Sequence, residues 1–140
     1  MGDMKRFLAV AILLAAAGCT GPQTRQETVT PAAGEKILDL RAGSYFFDPA
    51  RISLPAGEHA VVRVSTESGI VPHSFVLAAP DGKIIARREL TRGGTTFVRL
   101  PPLPAGTYTY YCDHSFLGTR HRERGMQGEL TVDAPGAPGK

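Results

Sequence analysis

Residues Tyr110 to Val132 read YYCDHSFLGTRHRERGMQGELTV. Just ahead of and into this stretch, Thr107, Tyr108, Thr109, Tyr110 and Tyr111 form an alternating run of β-prone residues, and a second alternating run begins at Gly128. Runs of this kind, bounded by turn formers, read as two strands. Between them one loop gathers Cys112, His114, His121 and Met126. These side chains are metal ligands before they are anything else, and a thiolate, an imidazole and a thioether together form the donor set that selects copper. A trigonal site with a weak axial ligand needs one more imidazole from elsewhere in the chain. His73, in Val71-Pro72-His73-Ser74-Phe75-Val76-Leu77, is the candidate, with Pro72 fixing the backbone just before it.

The rest of the chain carries the same short-range pattern. Lys36 to Arg41 and Tyr45 to Phe47 suggest a first strand interrupted at Ala42-Gly43-Ser44, and Asp48-Pro49 turns the chain. Arg51 to Leu54 and His59 to Ser65 alternate on either side of Pro55-Ala56-Gly57. Pro80-Asp81-Gly82 is a hairpin turn, Ile84 to Ala86 and Thr95 to Leu100 are further strands, and Pro101 to Gly106 leads into the tyrosine-rich run. Apolar residues make up 42% of the 140, too many for a disordered chain, while 16 glycines and 11 prolines divide them into short runs. No internal repeat, heptad or long amphipathic helix is visible. The expected fold is all-β, a Greek-key β-sandwich of seven to eight strands in one domain.

A histidine at the start of an apolar strand, followed by cysteine, histidine and methionine in one C-terminal loop, resembles the cupredoxins, the family of blue type 1 copper electron carriers. The spacing His121-x4-Met126, with Gly125 before the methionine and Gly128 shortly after, looks like the plastocyanin end of that loop. The spacing from cysteine to histidine departs from it: plastocyanin has two intervening residues, and this chain has eight if His121 is the ligand. An aromatic followed by Asp48-Pro49, an Ile52-x-Leu54 strand, a Pro-Ala-Gly turn and a valine-rich strand is similar to the opening of many cupredoxin domains. The resemblance covers Glu35 to Asp133. It implies one copper ion held by His73, Cys112 and His121, with Met126 as axial ligand. His114 offers the alternative Cys-x-His, but the family spacing favours His121 and leaves His114 solvated or behind the ligands. Ser74 stands where the family usually has an asparagine that ties the two ligand loops together, and its hydroxyl can make one such bond. His59 reads as exposed.

What the resemblance implies about function is electron transfer. Four protein ligands leave no open position for a small-molecule substrate, and neither a second copper centre nor a Ser-His-acid constellation is visible, so an enzyme is not expected. His121 is expected to be the ring nearest solvent and the port to a redox partner. Arg120, Arg122 and Arg124 bracket it with Asp113 and Glu123 opposing, which suits an acidic docking surface on that partner. An envelope copper carrier using the same ligands without electron transfer is the alternative, and a metal-free sandwich serving as a binding module is a third.

At the other end, Lys5 and Arg6 precede an apolar run of eleven residues, Phe7 to Ala17, too short to span a membrane as a helix. The segment closes Ala16-Ala17-Gly18-Cys19, which resembles the lipobox of bacterial lipoproteins. The expected organisation is a signal peptide over 1–18, a lipidated Cys19, a flexible tether over 19–34, the cupredoxin-like domain over 35–133 and a disordered tail over 134–140. The protein is then exported and lipid-anchored at the periplasmic or cell-surface face of a bacterial membrane. An ordinary signal peptide cut nearby, with Cys19 incidental, is the alternative. If Cys19 carries lipid, Cys112 is a lone thiol in an oxidising compartment, and metal binding gives it a reason to persist; a Cys19–Cys112 disulfide is the competing reading. The net charge of +3 is mild, and without a basic stripe interleaved with aromatics it does not suggest nucleic acid.

Overall fold

The computed structural model describes residues 31–136. The expected signal peptide, Cys19, most of the tether and the last four residues lie outside them. Eleven strands follow in chain order: β1 (Lys36–Gly43), β2 (Phe46–Asp48), β3 (Arg51–Pro55), β4 (Ala60–Thr66), β5 (Ser74–Ala78), β6 (Ile84–Glu89), β7 (Thr95–Leu100), β8 (Gly106–Tyr111), β9 (Ser115–Phe116), β10 (Thr119–Arg120) and β11 (Gln127–Asp133). One 3-10 turn (Arg122–Arg124) is the only helical element among the described residues.

The strands form a sheet ordered β2-β1-β4-β7, a second ordered β3-β11-β8-β5-β6, and a separate two-stranded hairpin, β9-β10. Two pairings are parallel, β1 with β4 and β3 with β11. Parallel neighbours need crossovers, and here the chain supplies them by passing repeatedly from one sheet to the other. The expected all-β Greek-key sandwich is what forms.

The strand count exceeds the expected seven to eight for a local reason. Ala42-Gly43-Ser44 is not an interruption within one strand. β1 runs through Gly43 and reverses, so that Gly43 pairs with Phe46 and Arg41 with Asp48 in an antiparallel ladder. The loop after Cys112 supplies the other two strands.

Alternation puts the core between the sheets. In β4, Val62 and Val64 are buried while Arg63 and Ser65 face solvent; Leu54, Phe75, Leu77, Leu130 and Val132 meet them from the second sheet. Each such side chain contributes about 1.5–3 kcal/mol on burial. Tyr110 is the largest fully buried side chain. Its ring stacks on Phe75 at 5.9 Å, takes Phe47 edge-on at 5.5 Å, and its hydroxyl donates to the Pro49 carbonyl at 2.7 Å. That bond ties the strand leading to Cys112 to the turn between β2 and β3.

The Tyr110 ring lies across Gly128, its partner in β11, and a Cβ at that position would run into the ring. Gly128→Ala is therefore expected to destabilise the domain by about 1–3 kcal/mol through overpacking, read as a lowered urea midpoint. An unchanged midpoint would show that the ring can move aside.

Candidate metal centre

Cys112 follows directly on β8, and Met126 directly precedes β11. The two are joined where the Cys112 N–H donates to the Met126 carbonyl at 3.1 Å. Since β8 and β11 are neighbours, the loop of residues 112–126 leaves and re-enters the sheet at one point.

That closed loop explains the long spacing from Cys112 to His121. The intervening residues project as the β9-β10 hairpin, with Phe116 paired to Thr119 and Ser115 to Arg120. Leu117 and Gly118 at its tip have φ of 51° and 80°, the pair of left-handed residues that a tight two-residue hairpin turn requires. At its base the His121 N–H donates to the His114 carbonyl at 2.9 Å. The hairpin is an excursion that returns His121 to Cys112, so the sequence separation adds no spatial separation. The 3-10 turn then brings the chain round, with the Met126 N–H donating to the His121 carbonyl at 3.0 Å.

His73 reaches the same point from the other side. It sits one residue before β5, and its carbonyl accepts from the Leu90 N–H at 2.9 Å. One donor atom each from His73, Cys112 and His121 lies within 4.8 Å of the other two. His121 Nδ1 is 3.4 Å from Cys112 Sγ. His73 Nε2 lies 3.5 Å from Ser44 Oγ, which leaves His73 Nδ1 buried without a hydrogen-bond partner. Met126 is fully buried beside this cluster in sequence and joins the core.

Two buried ring nitrogens without partners, His73 Nδ1 and His121 Nε2, are costly in a protein that binds nothing here. A cation between the rings and the sulfur answers that cost for His73. The donors, two imidazoles, one thiol and a buried thioether, fit a single type 1 copper ion. Burial first, then the neighbouring His121 and His114, pushes the His73 ring down to about 4. Burial likewise lowers His121, helped by His114 and Arg124. Both rings are thereby kept neutral, the form that ligates metal.

The remaining expected residues fall into place around this cluster. Ser74 is fully buried and does link the two loops: its N–H donates to Cys112 Sγ at 3.3 Å, and its hydroxyl lies 2.5 Å from Asp113 Oδ1. His114 is outside the donor cluster, with Nε2 2.7 Å from Glu89 Oε2. His59 is exposed. Arg120, Arg122 and Arg124 are exposed, and two of them cover aromatic rings: Arg122 lies 4.4 Å from the Tyr111 centroid and Arg124 4.7 Å from that of Tyr45.

One expectation is overturned. His121 is not the ring nearest solvent; it is 0% exposed and His73 is 4% exposed. Tyr45 is the reason. Its ring packs edge-on to His121 at 4.8 Å and to His73 at 6.4 Å. Ser44 and Tyr45, at the β1-β2 reversal, were invisible as site residues in the sequence. The available signal was a polar residue and an aromatic at a glycine-marked turn, which is too common to single out.

The profile of the cupredoxin-like domain matches residues 7–132, most of the chain. This chain belongs to the cupredoxin-like family. Solved cupredoxins share its fold. Auracyanin B superposes with a TM-score of 0.61 at 23% identity, covering 75% of this chain and 94% of its own. The auracyanin of the photosynthetic bacterium Roseiflexus castenholzii, solved in a dithionite-reduced state, gives 0.60 at 20% identity over 71% and 98%. Auracyanin A, a "blue" copper protein from Chloroflexus aurantiacus, gives 0.53 at 24% identity over 69% and 99%.

The buried His73 makes this cupredoxin's metal-free form acid-sensitive. Between the unfolded value of 6.5 and the folded value of about 4, the unfolded chain takes up a proton that the folded chain does not, so stability falls as pH falls through that window. The expected loss is on the order of 3 kcal/mol at pH 4 relative to pH 7 from this group. Urea unfolding of the metal-free protein at the two pH values checks it, and His73→Gln should reduce the dependence while leaving the part that His121 contributes.

Proposed function

We propose that this chain is a copper-binding electron-transfer protein of the bacterial cell envelope, with one type 1 centre formed by His73, Cys112, His121 and Met126. The observation that carries the reading is the convergence of three buried donor atoms, from His73, Cys112 and His121, within 4.8 Å of one another. The ion, when bound, would alternate between Cu(I) and Cu(II) and so carry one electron.

The chain's own residues prepare for that change. Ser44 and the neighbouring strands hold His73; backbone bonds at both ends of the 3-10 turn hold His121; the Ser74 N–H supports the thiolate. Donors fixed in this way present one arrangement to both oxidation states, which keeps reorganisation small. Met126, buried beside the turn that carries His121, would supply the thioether as a fourth donor. With four protein donors no position is left for a substrate, which supports a carrier of electrons and not an enzyme.

Burial also supports this reading over the copper carrier. A protein that hands the ion on needs a donor at the surface, and here both imidazoles and the thiol are enclosed, with Tyr45 across the rings. The partner in this reading is a redox protein with an acidic docking surface, met by Arg120, Arg122 and Arg124. Cys19, lipidated, anchors the domain to the membrane through the tether over 19–34, and the domain works at the periplasmic or cell-surface face.

Titration of the domain from Thr20 onward with Cu(II) is expected to give an intense blue thiolate-to-copper band at one equivalent. Cys112→Ser or His121→Ala should abolish the band and His114→Ala should keep it; stoichiometric binding without the band would favour the copper carrier. The docking arginines are tested separately by stopped-flow oxidation of the reduced protein with hexacyanoferrate(III). The rate should fall with added salt, and replacing all three arginines by glutamine should remove most of that dependence.

A further inference from the structure

We propose that Asp113, locked by Arg87, holds the Ser74 hydroxyl proton away from Cys112 and so leaves the copper-bound sulfur with one strong hydrogen bond. Asp113 and Arg87 are then positioning residues that set the reduction potential from outside the ligand shell. The inference rests on the copper reading above.

It follows from counting protons. A serine hydroxyl has one proton to donate and two lone pairs to accept with. One lone pair of Ser74 Oγ is taken by the Asp113 N–H at 3.1 Å. The single proton faces two acceptors, Asp113 Oδ1 at 2.5 Å and Cys112 Sγ at 3.6 Å. A carboxylate oxygen at that separation is a stronger acceptor than a sulfur more than an ångström further away. The proton therefore goes to Asp113, and the sulfur keeps the Ser74 N–H at 3.3 Å.

The carboxylate cannot turn away, because Arg87 grips both of its oxygens, Nε to Oδ2 at 2.7 Å and the terminal nitrogen to Oδ1 at 3.1 Å. Arg87 is braced in turn by Glu89 at 2.8 Å, and Glu89 by His114 at 2.7 Å. Arg87 and Glu89 lie on β6, beside the β5 strand that Ser74 opens. A brace spanning β6, β5 and the ligand loop thus ends on one hydroxyl group.

The consequence is electronic. A hydrogen bond to a metal-bound thiolate draws charge toward the sulfur, weakens its donation to the metal and favours the reduced state. Removing the Asp113 acceptor frees the hydroxyl to turn to Cys112 and add a second bond of that kind.

The test is a double-mutant cycle on the copper-loaded protein, comparing wild type, Asp113→Ala, Ser74→Ala and the double variant by blue-band energy, midpoint potential and the H2O/D2O shift of the copper–sulfur vibration. Asp113→Ala is expected to move the blue band to higher energy, raise the potential and enlarge the deuterium shift. On the Ser74→Ala background these changes should shrink to the loss of a surface charge alone. Arg87→Gln, a strand-edge change remote from the ligand loop's backbone, should give a smaller Ser74-dependent shift in the same direction and serves if Asp113→Ala does not fold. Equal shifts with and without the Ser74 hydroxyl overturn the inference while leaving the copper reading intact. Absence of a blue band in wild type overturns both.

Discussion

One buried serine joins the two halves of the metal centre. Ser74 opens β5, donates its N–H to the thiol of Cys112 and exchanges hydrogen bonds with Asp113. It can do so because β5 and β8 are antiparallel neighbours in the register Val76 to Tyr111, which, carried two residues further, sets Ser74 opposite Asp113. Slipping that register by one residue would exchange the faces that Ser74 and Phe75 present and take Ser74 away from Asp113. Tyr110 of β8 stacks on Phe75 of β5, and is itself fixed by its ring over Gly128 and its hydroxyl on Pro49. Core packing and ligand geometry are in this sense one constraint.

Enclosure of the ligands changes how the site meets a partner. With His121 covered by Tyr45 and Tyr45 by Arg124, neither His73 nor His121 faces solvent, and the surface over the centre is an aromatic ring capped by a cation. The hairpin beside it places Leu117 at its tip, 84% exposed. The residues between Cys112 and His121 build this exposed hairpin, and His121 still returns to within 3.4 Å of the Cys112 sulfur.

Much of the fold was legible because its signals are local. Alternation of apolar and polar residues in β4, the Pro80-Asp81-Gly82 turn between β5 and β6, and the tyrosine run of β8 each read correctly from a few neighbours. The β1-β2 reversal did not, since the stretch from Ala42 to Tyr45 reads equally well as a flaw in one strand and as a turn between two. His73, Cys112 and His121 were legible as donors because few other roles suit those residue types together, and His114 could be set aside on spacing. Ser74 was legible only as a departure from an expected asparagine, and Ser44 and Tyr45 not at all.

The chain's own order of residues determined the β character, the donor types and the loop that holds most of them, all properties of residue chemistry and short spacing. Only the tertiary structure decided which nitrogen of His73 is free, that His121 is buried, that an aromatic from the β1-β2 turn lies over both rings, and that an arginine on β6 governs a carboxylate beside the thiol. These contacts join residues 26 to 39 positions apart or further. Strand register and the packing of two sheets settle such contacts, and neither is written in any one stretch of sequence.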